Sequence, residues 1–261
     1  MLNNFWEEIG TENNEHNHLW ELYHQNSKIT KLDKAISVQE LRVKTLDLII
    51  ANNYEQYPCY KLSDELASLD CNLADAMKMR ITARDIEPVN ISFTQLSTFL
   101  FFAYGITRTN EDNDFPHPFR TVPSAGGLYP LEIYFHHNYV DGLDAGLYHY
   151  NPMKHEIRHI LRGDQTRKIQ EILVKPDLAV KSSIIIFITA MFERSSFKYG
   201  ERCYRFANIE AGHVAQNINL TAIGMNLSTV NIGGYLDKQA DDFLRLDGVL
   251  SSTLYVTAIG K

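Results

Sequence analysis

The sequence predicts an α+β fold in which helices flank a mixed, largely antiparallel sheet. The stretch from Leu131 to His136 alternates apolar and polar residues with the period of a half-buried strand. An almost unbroken apolar run from Ile184 to Phe192 has the length of a central strand that is covered on both faces. The sequence has neither a βαβ rhythm nor the Gly-x-Gly-x-x-Gly turn of a dinucleotide-binding fold.

Composition excludes several classes of partner. With 261 residues, 44% of them hydrophobic, the chain can form one large domain or two small ones. Its 32 acidic and 25 basic residues give a net charge of −7 without any basic run, which argues against nucleic acid or an anionic membrane as the main partner. Three widely spaced cysteines predict neither a disulfide framework nor a metal site, as suits a reducing cytoplasm. Residues 1–10 lack the pattern of a signal peptide, and the longest apolar run is about half of a membrane helix.

The pattern of residues 1–54 predicts a helical extension, and this segment contains few residues that indicate a function. Ser37 and Glu40 have the spacing of a capping box, which would open a helix that reaches Ile50. Residues 54–62 are predicted to be extended. We therefore expect the main domain to comprise residues 55–261.

A cluster of basic side chains follows a short predicted helix that starts at Asn72. The apolar residues of that helix are expected to face inward; they are Leu73, Ala76 and Met77. Three side chains suited to phosphate come next: Arg80, Thr82 and Arg84. Arginine binds phosphate oxygens through paired, charge-assisted hydrogen bonds, and threonine adds a donor. Spacing alone leaves two interpretations, a phosphate site or an exposed basic patch without a ligand.

A proline-bounded, glycine-rich turn leads into the alternating strand. Its residues are Pro123, Ser124, Ala125, Gly126 and Gly127. Small side chains and free N–H groups allow the backbone to approach a flat, polar ring system closely, although the same pattern is typical of a plain loop. Ahead of it, Ser92 and Gln95 predict a capped core helix that ends at Gly105, and residues 110–118 predict a polar loop.

Further elements follow the first strand. Residues 146–150 and 155–160 predict a hairpin, and Asp164 starts a helix. After the apolar run, Lys198 and Tyr199 lie in a polar segment, interpreted as an irregular turn, just ahead of a long helix. By residue type alone they are a solvated lysine and a packing tyrosine.

The long helix, residues 204–225, is apolar on two faces, so we expect it to be buried centrally or in a subunit interface. Strand 228–232 then runs into Gly233 and Gly234, a second turn where backbone can approach a ligand. Asp237 is predicted to cap a helix, and residues 253–259 form the last predicted strand.

Together these motifs resemble the SagB-type dehydrogenases of the nitroreductase superfamily, flavin enzymes that oxidise thiazolines and oxazolines in modified peptides. The resemblance covers residues 55–261, and residues 19–30 resemble the short leading motif of the same proteins. Its motifs, in order, are Arg80–Arg84, Pro123–Tyr134 and Phe197–Phe206, the last continued by Glu210–Asn217 and Gly233–Asp237.

The resemblance implies a nitroreductase-like α+β homodimer whose two FMN sites lie at the subunit interface. It implies that the FMN phosphate is held by Arg80, Thr82 and Arg84. It also implies that the flavin ring is lined by Pro123, Ser124, Ala125, Gly126 and Gly127, and that the reactive N5 edge lies near Gly233 and Gly234. Lys198 and Tyr199 match the catalytic Lys-Tyr pair of the family. The implied substrate is an azoline-containing peptide, with a cyclodehydratase complex as a candidate partner.

One departure from the family concerns the end of the sequence. Many relatives continue past the last strand with basic residues that complete the phosphate site, whereas this sequence stops at Lys261. Either Lys261 takes that role or the phosphate is held more loosely. Two other functions stay open: a general nitro or quinone reductase, which shares the cofactor residues but does not need the Lys-Tyr pair, and a non-catalytic scaffold subunit of a peptide-modifying complex.

Overall fold

The computed structural model describes residues 19–31, 36–46, 51–110 and 117–261. Its centre is a seven-stranded antiparallel sheet in the order β1-β6-β5-β4-β7-β9-β8, and a two-stranded hairpin, β2-β3, lies apart from it. The strands are β1 Cys59–Lys61, β2 Ile106–Asn110, β3 His117–Arg120, β4 Leu131–His137, β5 Gly146–Asn151, β6 Glu156–Arg162, β7 Ile184–Met191, β8 Ser228–Ile232 and β9 Ser251–Gly260. The predicted α+β class with a largely antiparallel sheet is confirmed.

Helices cover both faces of the sheet. They are α1 Leu19–Asn26, α2 Val38–Leu46, α3 Leu73–Met79, α4 Phe93–Tyr104, α5 Thr166–Ile172, α6 Asp177–Lys181, α7 Glu193–Tyr199, α8 Arg202–Gly224 and α9 Asp237–Leu244. One core lies between the sheet and helices α4 and α8, and a second lies on the opposite face under α5, α6 and α9. Strand β7 contributes to both cores, so the predicted central strand is confirmed.

Local signals located most elements correctly. Helix α4 begins with the predicted capping box, in which Ser92 accepts from the backbone of Gln95 at 3.1 Å and the Gln95 side chain accepts from Ser92 at 2.9 Å. Ser37 caps α2 through the backbone N–H of Glu40 at 3.1 Å, while Ile50 lies outside the described residues. No helix within the described ranges is long and apolar enough to cross a membrane.

Predictions of local structure were wrong at the polar loop, at Asp237 and on the apolar face of α3. Residues 106–110 and 117–120 pair as a hairpin, so both ends of the predicted polar loop belong to strands. Asp237 is the first residue of α9 rather than its cap, since Leu236 holds the cap position without a side-chain hydrogen bond. Helix α3 buries only Ala76, and Leu73 and Met77 are more than half exposed because no described element of the chain covers that face.

Candidate functional site

The glycine-rich turn and the Lys-Tyr pair meet in the folded chain. Gly126 and Gly127 have φ angles of +63° and +67°, in the left-handed region that favours glycine. A Cβ atom on Gly126 would lie 2.5 Å from the Tyr199 hydroxyl and 2.6 Å from Lys198 Nζ. Any other residue at position 126 would therefore displace these two polar groups, which converge on the surface of the turn.

Lys198 and Tyr199 form the last turn of α7, so the predicted irregular turn was wrong. Gly200, with φ +51°, ends this helix. Neighbouring residues of a helix are about 100° apart, which allows both side chains to reach one pocket without an irregular backbone. Lys198 Nζ lies 5.2 Å from the centre of the Tyr199 ring, which also packs edge-to-face on Phe206 with ring centres 4.9 Å apart. Both side chains are half-buried.

A buried carboxyl group lies behind the glycine-rich turn. Glu210, in the middle of α8, is 2% exposed and accepts a hydrogen bond from the Tyr104 hydroxyl at 2.5 Å. Burial raises the pKa of Glu210 to about 7, against the opposing effects of hydrogen bonds from Ser124 and Tyr104 and of the charge on Arg120. Arg120 is itself buried and lies over the Tyr104 ring at 4.1 Å.

A buried ion pair connects α7 to strand β4. The guanidinium of Arg194, one helical turn before Lys198, pairs with the carboxylate of Glu132, which also bonds to His149. Burial by itself raises the pKa of Glu132, but the charges of Arg194 and His149 outweigh it and lower the pKa to about 2. Glu132 lies at the start of β4, the strand that follows the glycine-rich turn, so the ion pair holds the helix of the Lys-Tyr pair against that strand.

The second group of predicted residues surrounds a cleft of about 970 Å³. The residues predicted from sequence that line it are Thr82, Arg84, Gly233 and Gly234. The loop of Thr82 and Arg84 runs beside edge strand β8, where the N–H of Ala83 bonds to the carbonyl of Thr229 at 3.1 Å. Lys175, which was not predicted, supplies another cation to the wall. The cleft thus combines glycine backbone with two cationic side chains and one carboxylate, Asp177, which pairs with Lys181 at 3.6 Å.

Two predicted phosphate ligands lie elsewhere. Arg80 is the C-terminal cap residue of α3 and is not part of the cleft wall. Lys261 donates from Nζ to the carbonyl of Asn226 at 2.9 Å, and it too is absent from the wall. The described wall also contains no residue of the glycine-rich turn or the Lys-Tyr pair. Within one chain, the predicted site therefore falls into two groups, one at Gly126 and one at Gly233.

The family model described as "Nitroreductase family" matches residues 77–261, more than two thirds of the chain. The chain belongs to the nitroreductase family. "Putative nitroreductase MJ1384" from Methanocaldococcus jannaschii is 34% identical over 177 residues, which cover 68% of this chain and 86% of that protein.

A second relative has a name that concerns peptide processing. "Microcin B17-processing protein McbC" from Escherichia coli is 31% identical over 157 residues, 54% of this chain and 54% of that protein. The match thus spans about half the length of this relative. A chain in the E. coli microcin synthetase McbBCD complex, bound to truncated pro-MccB17, superposes with a TM-score of 0.59 at 20% identity, covering 93% of this chain and 91% of that one. At this identity the superposition shows the fold of the nitroreductase family.

Sequence reasoning missed five polar side chains of this family member. They are Arg120, Glu132, Lys175, Arg194 and Glu210. A signal existed for Glu132, because a carboxylate on a strand face next to buried aromatic residues requires a partner. The motif Glu210–Asn217 contained Glu210, yet its position on an otherwise alanine-rich, buried helix face drew no assignment. For Lys175 and Arg120 the sequence offers no pattern, since their neighbours are distant in the chain.

Proposed function

We propose that this nitroreductase-family protein is a SagB-type, FMN-dependent dehydrogenase that oxidises thiazolines or oxazolines to azoles in a ribosomally made peptide. The observation that carries the proposal is the convergence of Lys198 Nζ and the Tyr199 hydroxyl on Gly126. A simple flavin reductase has no need of such a pair beside its cofactor. The relative named as a microcin B17-processing protein supports a peptide as the substrate.

The residues present fit FMN on two counts. Gly126 and Gly127 both have positive φ angles, and a side chain on Gly126 would collide with Lys198 and Tyr199, so the bare backbone of this turn can approach the flavin ring. The cleft lined by Gly233 and Gly234, here called the glycine cleft, also contains Thr82, Arg84 and Lys175, which suit the anionic phosphate. Arg80, nearby in sequence, is a further candidate. Pro123, Ser124 and Ala125 would border the ring, and Gly233 and Gly234 would lie at its N5 edge.

The oxidation of an azoline requires a base, and the Lys-Tyr pair is suited to that role. An azoline becomes an azole by losing two hydrogens from adjacent carbons, and the one next to the carbonyl is acidic enough to leave as a proton. Lys198 or Tyr199 would take this proton, as a positioned base does. When bound, FMN supplies the oxidant that accepts the second hydrogen as a hydride, so the azoline is oxidised and the flavin is reduced. The ion pair between Arg194 and Glu132 would keep the base in place.

A homodimer would unite the two groups of site residues. The predicted flavin residues lie in two places on one chain, so a second copy is proposed to bring its glycine cleft to the Gly126 turn. The faces available for this contact are apolar: Leu73 and Met77 of α3 are 63% and 59% exposed, and Ile209 of α8 is 50% exposed. Burial of such residues on both copies favours association.

The N-terminal residues are proposed to form a separate extension, residues 1–54, on the FMN-binding domain of residues 55–261. Helix α1 packs on the start of α8, where the Tyr23 hydroxyl accepts from the backbone of Arg205 at 2.8 Å and Arg205 donates to Ser27 at 2.7 Å. The similar fold of a chain in the E. coli microcin synthetase McbBCD complex supports assembly of this chain with other subunits, and we propose a cyclodehydratase as that partner.

The test is an anaerobic single turnover. Purified protein is expected to be yellow with FMN, and a thiazoline-containing peptide should bleach the flavin stoichiometrically while the peptide loses the mass of two hydrogens. Anaerobic conditions make the bound FMN the only oxidant, so the two readings must agree. Absence of flavin after reconstitution would favour the scaffold function instead.

The runner-up is a general nitro or quinone reductase, which the similarity to the M. jannaschii protein favours. It predicts rapid consumption of NAD(P)H with a nitroaromatic compound and no bleaching by azoline peptides. Both assays on the same preparation separate the two functions.

A further inference from the structure

Glu210 occupies a position where a carboxyl group is unusual. The buried face of α8 around it consists of small and apolar residues, among them Ala207, Ala211 and Val214. A carboxyl group buried there loses its hydration, which is costly unless hydrogen bonds replace the water. Its partners therefore indicate what this group does.

Two hydroxyl groups connect Glu210 to opposite ends of the glycine-rich turn. The Tyr104 hydroxyl donates to Glu210 and accepts from the backbone N–H of Leu131, just after the turn, at 3.1 Å. The Ser124 hydroxyl, at the start of the turn, also hydrogen-bonds to Glu210 and accepts from the N–H of Tyr129 at 2.9 Å. Because each hydroxyl oxygen already accepts an N–H, its single hydrogen is directed to the carboxyl group.

The other charged and titratable groups near Glu210 come from neighbouring elements. Arg120 of β3 lies over the rings of Tyr104 and Tyr129 at 4.1 and 4.9 Å, and its charge favours the ionised carboxyl. Tyr129 accepts from the backbone N–H of Arg120 at 3.0 Å. Burial raises the pKa of Tyr129, and the charge of Arg108 in β2 opposes that rise. These groups surround one carboxyl, which is a pure acceptor when ionised and can then accept from both hydroxyls without donating to either.

We propose, on the basis of the proposed function, that Glu210 is a positioning residue whose ionised carboxyl holds Ser124 and Tyr104 so that the turn presents Gly126 to the flavin, and that protonation loosens the turn. A protonated carboxyl is also a donor, and its proton, when directed at either hydroxyl oxygen, competes with the N–H of Tyr129 or Leu131 that the oxygen already accepts. The pKa of Glu210, raised by burial to about 7, places this change within the physiological range.

The first test uses the ligand-free full chain labelled with 15N-glycine. The amide resonances of Gly126 and Gly127 should shift with pH around a midpoint near pH 7, and Glu210→Gln should abolish this titration. Ser124→Ala, which keeps the carboxyl but removes one link to the turn, should reduce it, so a folding defect in one variant does not decide the result. Exposed Glu171→Gln is the matched control and should keep the wild-type profile. Resonances that do not titrate in wild type, or titrate equally in Glu210→Gln, overturn the proposal.

The second test measures FMN affinity between pH 6 and 8 by quenching of flavin fluorescence. Wild-type affinity should weaken by about fivefold toward pH 6 relative to Glu210→Gln, the effect of one lost hydrogen bond. The FMN phosphate itself titrates in this range, but it affects the affinities of both proteins equally and so cancels when they are compared. Failure of the wild type to bind FMN at any pH contradicts the proposed function, and the glycine resonances then still decide the role of Glu210. Normal FMN binding with identical pH profiles overturns the role of Glu210 alone.

Discussion

The guanidinium of Arg194 and the carboxylate of Glu132 form an ion pair inside the protein, with both side chains 4% exposed or less. The backbone N–H of Asn52 also bonds to Glu132, at 3.1 Å, and His149 bonds to its other oxygen. The pair lies one helical turn from Lys198, so it joins the candidate base to the central sheet. Its stability and its effect on the site can both be measured.

Glu132→Gln should lower the free energy of unfolding by about 3–5 kcal/mol, because it leaves the charge of Arg194 buried without its partner. Urea unfolding measures this change. Glu171→Gln is the control: it removes an exposed ion pair with Arg167, 3.9 Å long, and should cost less than about 1 kcal/mol. Equal losses in the two variants would contradict a structural role for the buried pair.

Acid should destabilise the protein from pH 6.5 downward. Burial, together with the neighbouring His136 and His159, lowers the pKa of His137 from 6.5 to about 3, and burial lowers that of His136 to about 4. At these two histidines the unfolded chain therefore binds more protons between these values and 6.5, so their contribution to the free energy of unfolding is fully present above pH 6.5 and is lost as the pH falls. The raised pKa of Glu210 acts in the opposite direction, but it involves one proton against two.

The His137→Phe variant isolates one of these groups. His137 stacks against Phe135 and Tyr148, so a phenyl ring suits the site. Between pH 6 and 4, its unfolding free energy should fall less steeply than that of wild type, by about 1.4 kcal/mol per pH unit. Urea unfolding at several pH values gives the slopes, and parallel slopes for the two proteins would show that His137 does not titrate as expected.

Gly126→Ala should damage the site far more than the fold. Its Cβ would lie 2.5 Å from the Tyr199 hydroxyl, and displacement of a catalytic group by about 1 Å can cost about a hundredfold in rate. Gly163→Ala is a matched control, because Gly163 also has a positive φ, +80°, but nothing within 4 Å of the added atom. Similar stability but a selective loss of azoline oxidation in Gly126→Ala is the expected result, and equal activity of the two variants would argue against contact.

Lys198→Ala and Tyr199→Phe should each retain FMN and the homodimer while lowering azoline oxidation by about a hundredfold or more, the contribution of a positioned base. Flavin spectra, light scattering and peptide mass spectrometry measure the three properties. The exposed Lys238 of α9, which pairs only with Asp242 at 2.9 Å among the contacts of the described residues, provides Lys238→Ala as control. Near wild-type turnover in both site variants would favour the reductase function.

Arg84→Ala and Lys175→Ala should weaken FMN binding by about tenfold or more each, because a hydrogen bond to a charged group contributes about 1.5–3 kcal/mol. Arg80→Ala should also weaken it if this side chain reaches the phosphate, although Arg80 is not part of the cleft wall. Fluorescence titration with FMN and with riboflavin identifies the phosphate contribution. A variant that binds both ligands like wild type excludes its residue from the phosphate site.

The sequence by itself determined the elements whose causes are local. The capping box of Ser92 and Gln95 and the apolar run at 184–191 each depend on residues that are neighbours in the chain, and both were confirmed. The order of the motifs also identified the family, because the order and spacing of residues can be read from the sequence without the structure.

Only the tertiary structure decided how the site is assembled. Glu210 and Tyr104 are 106 residues apart, and Arg194 and Glu132 are 62 apart, so no local periodicity encodes either contact. The same holds for the exposed face of α3, because amphipathicity shows that Leu73 is apolar but not whether another element covers it. Burial and pairing depend on which surfaces the sheet brings together, and that is a property of the whole fold.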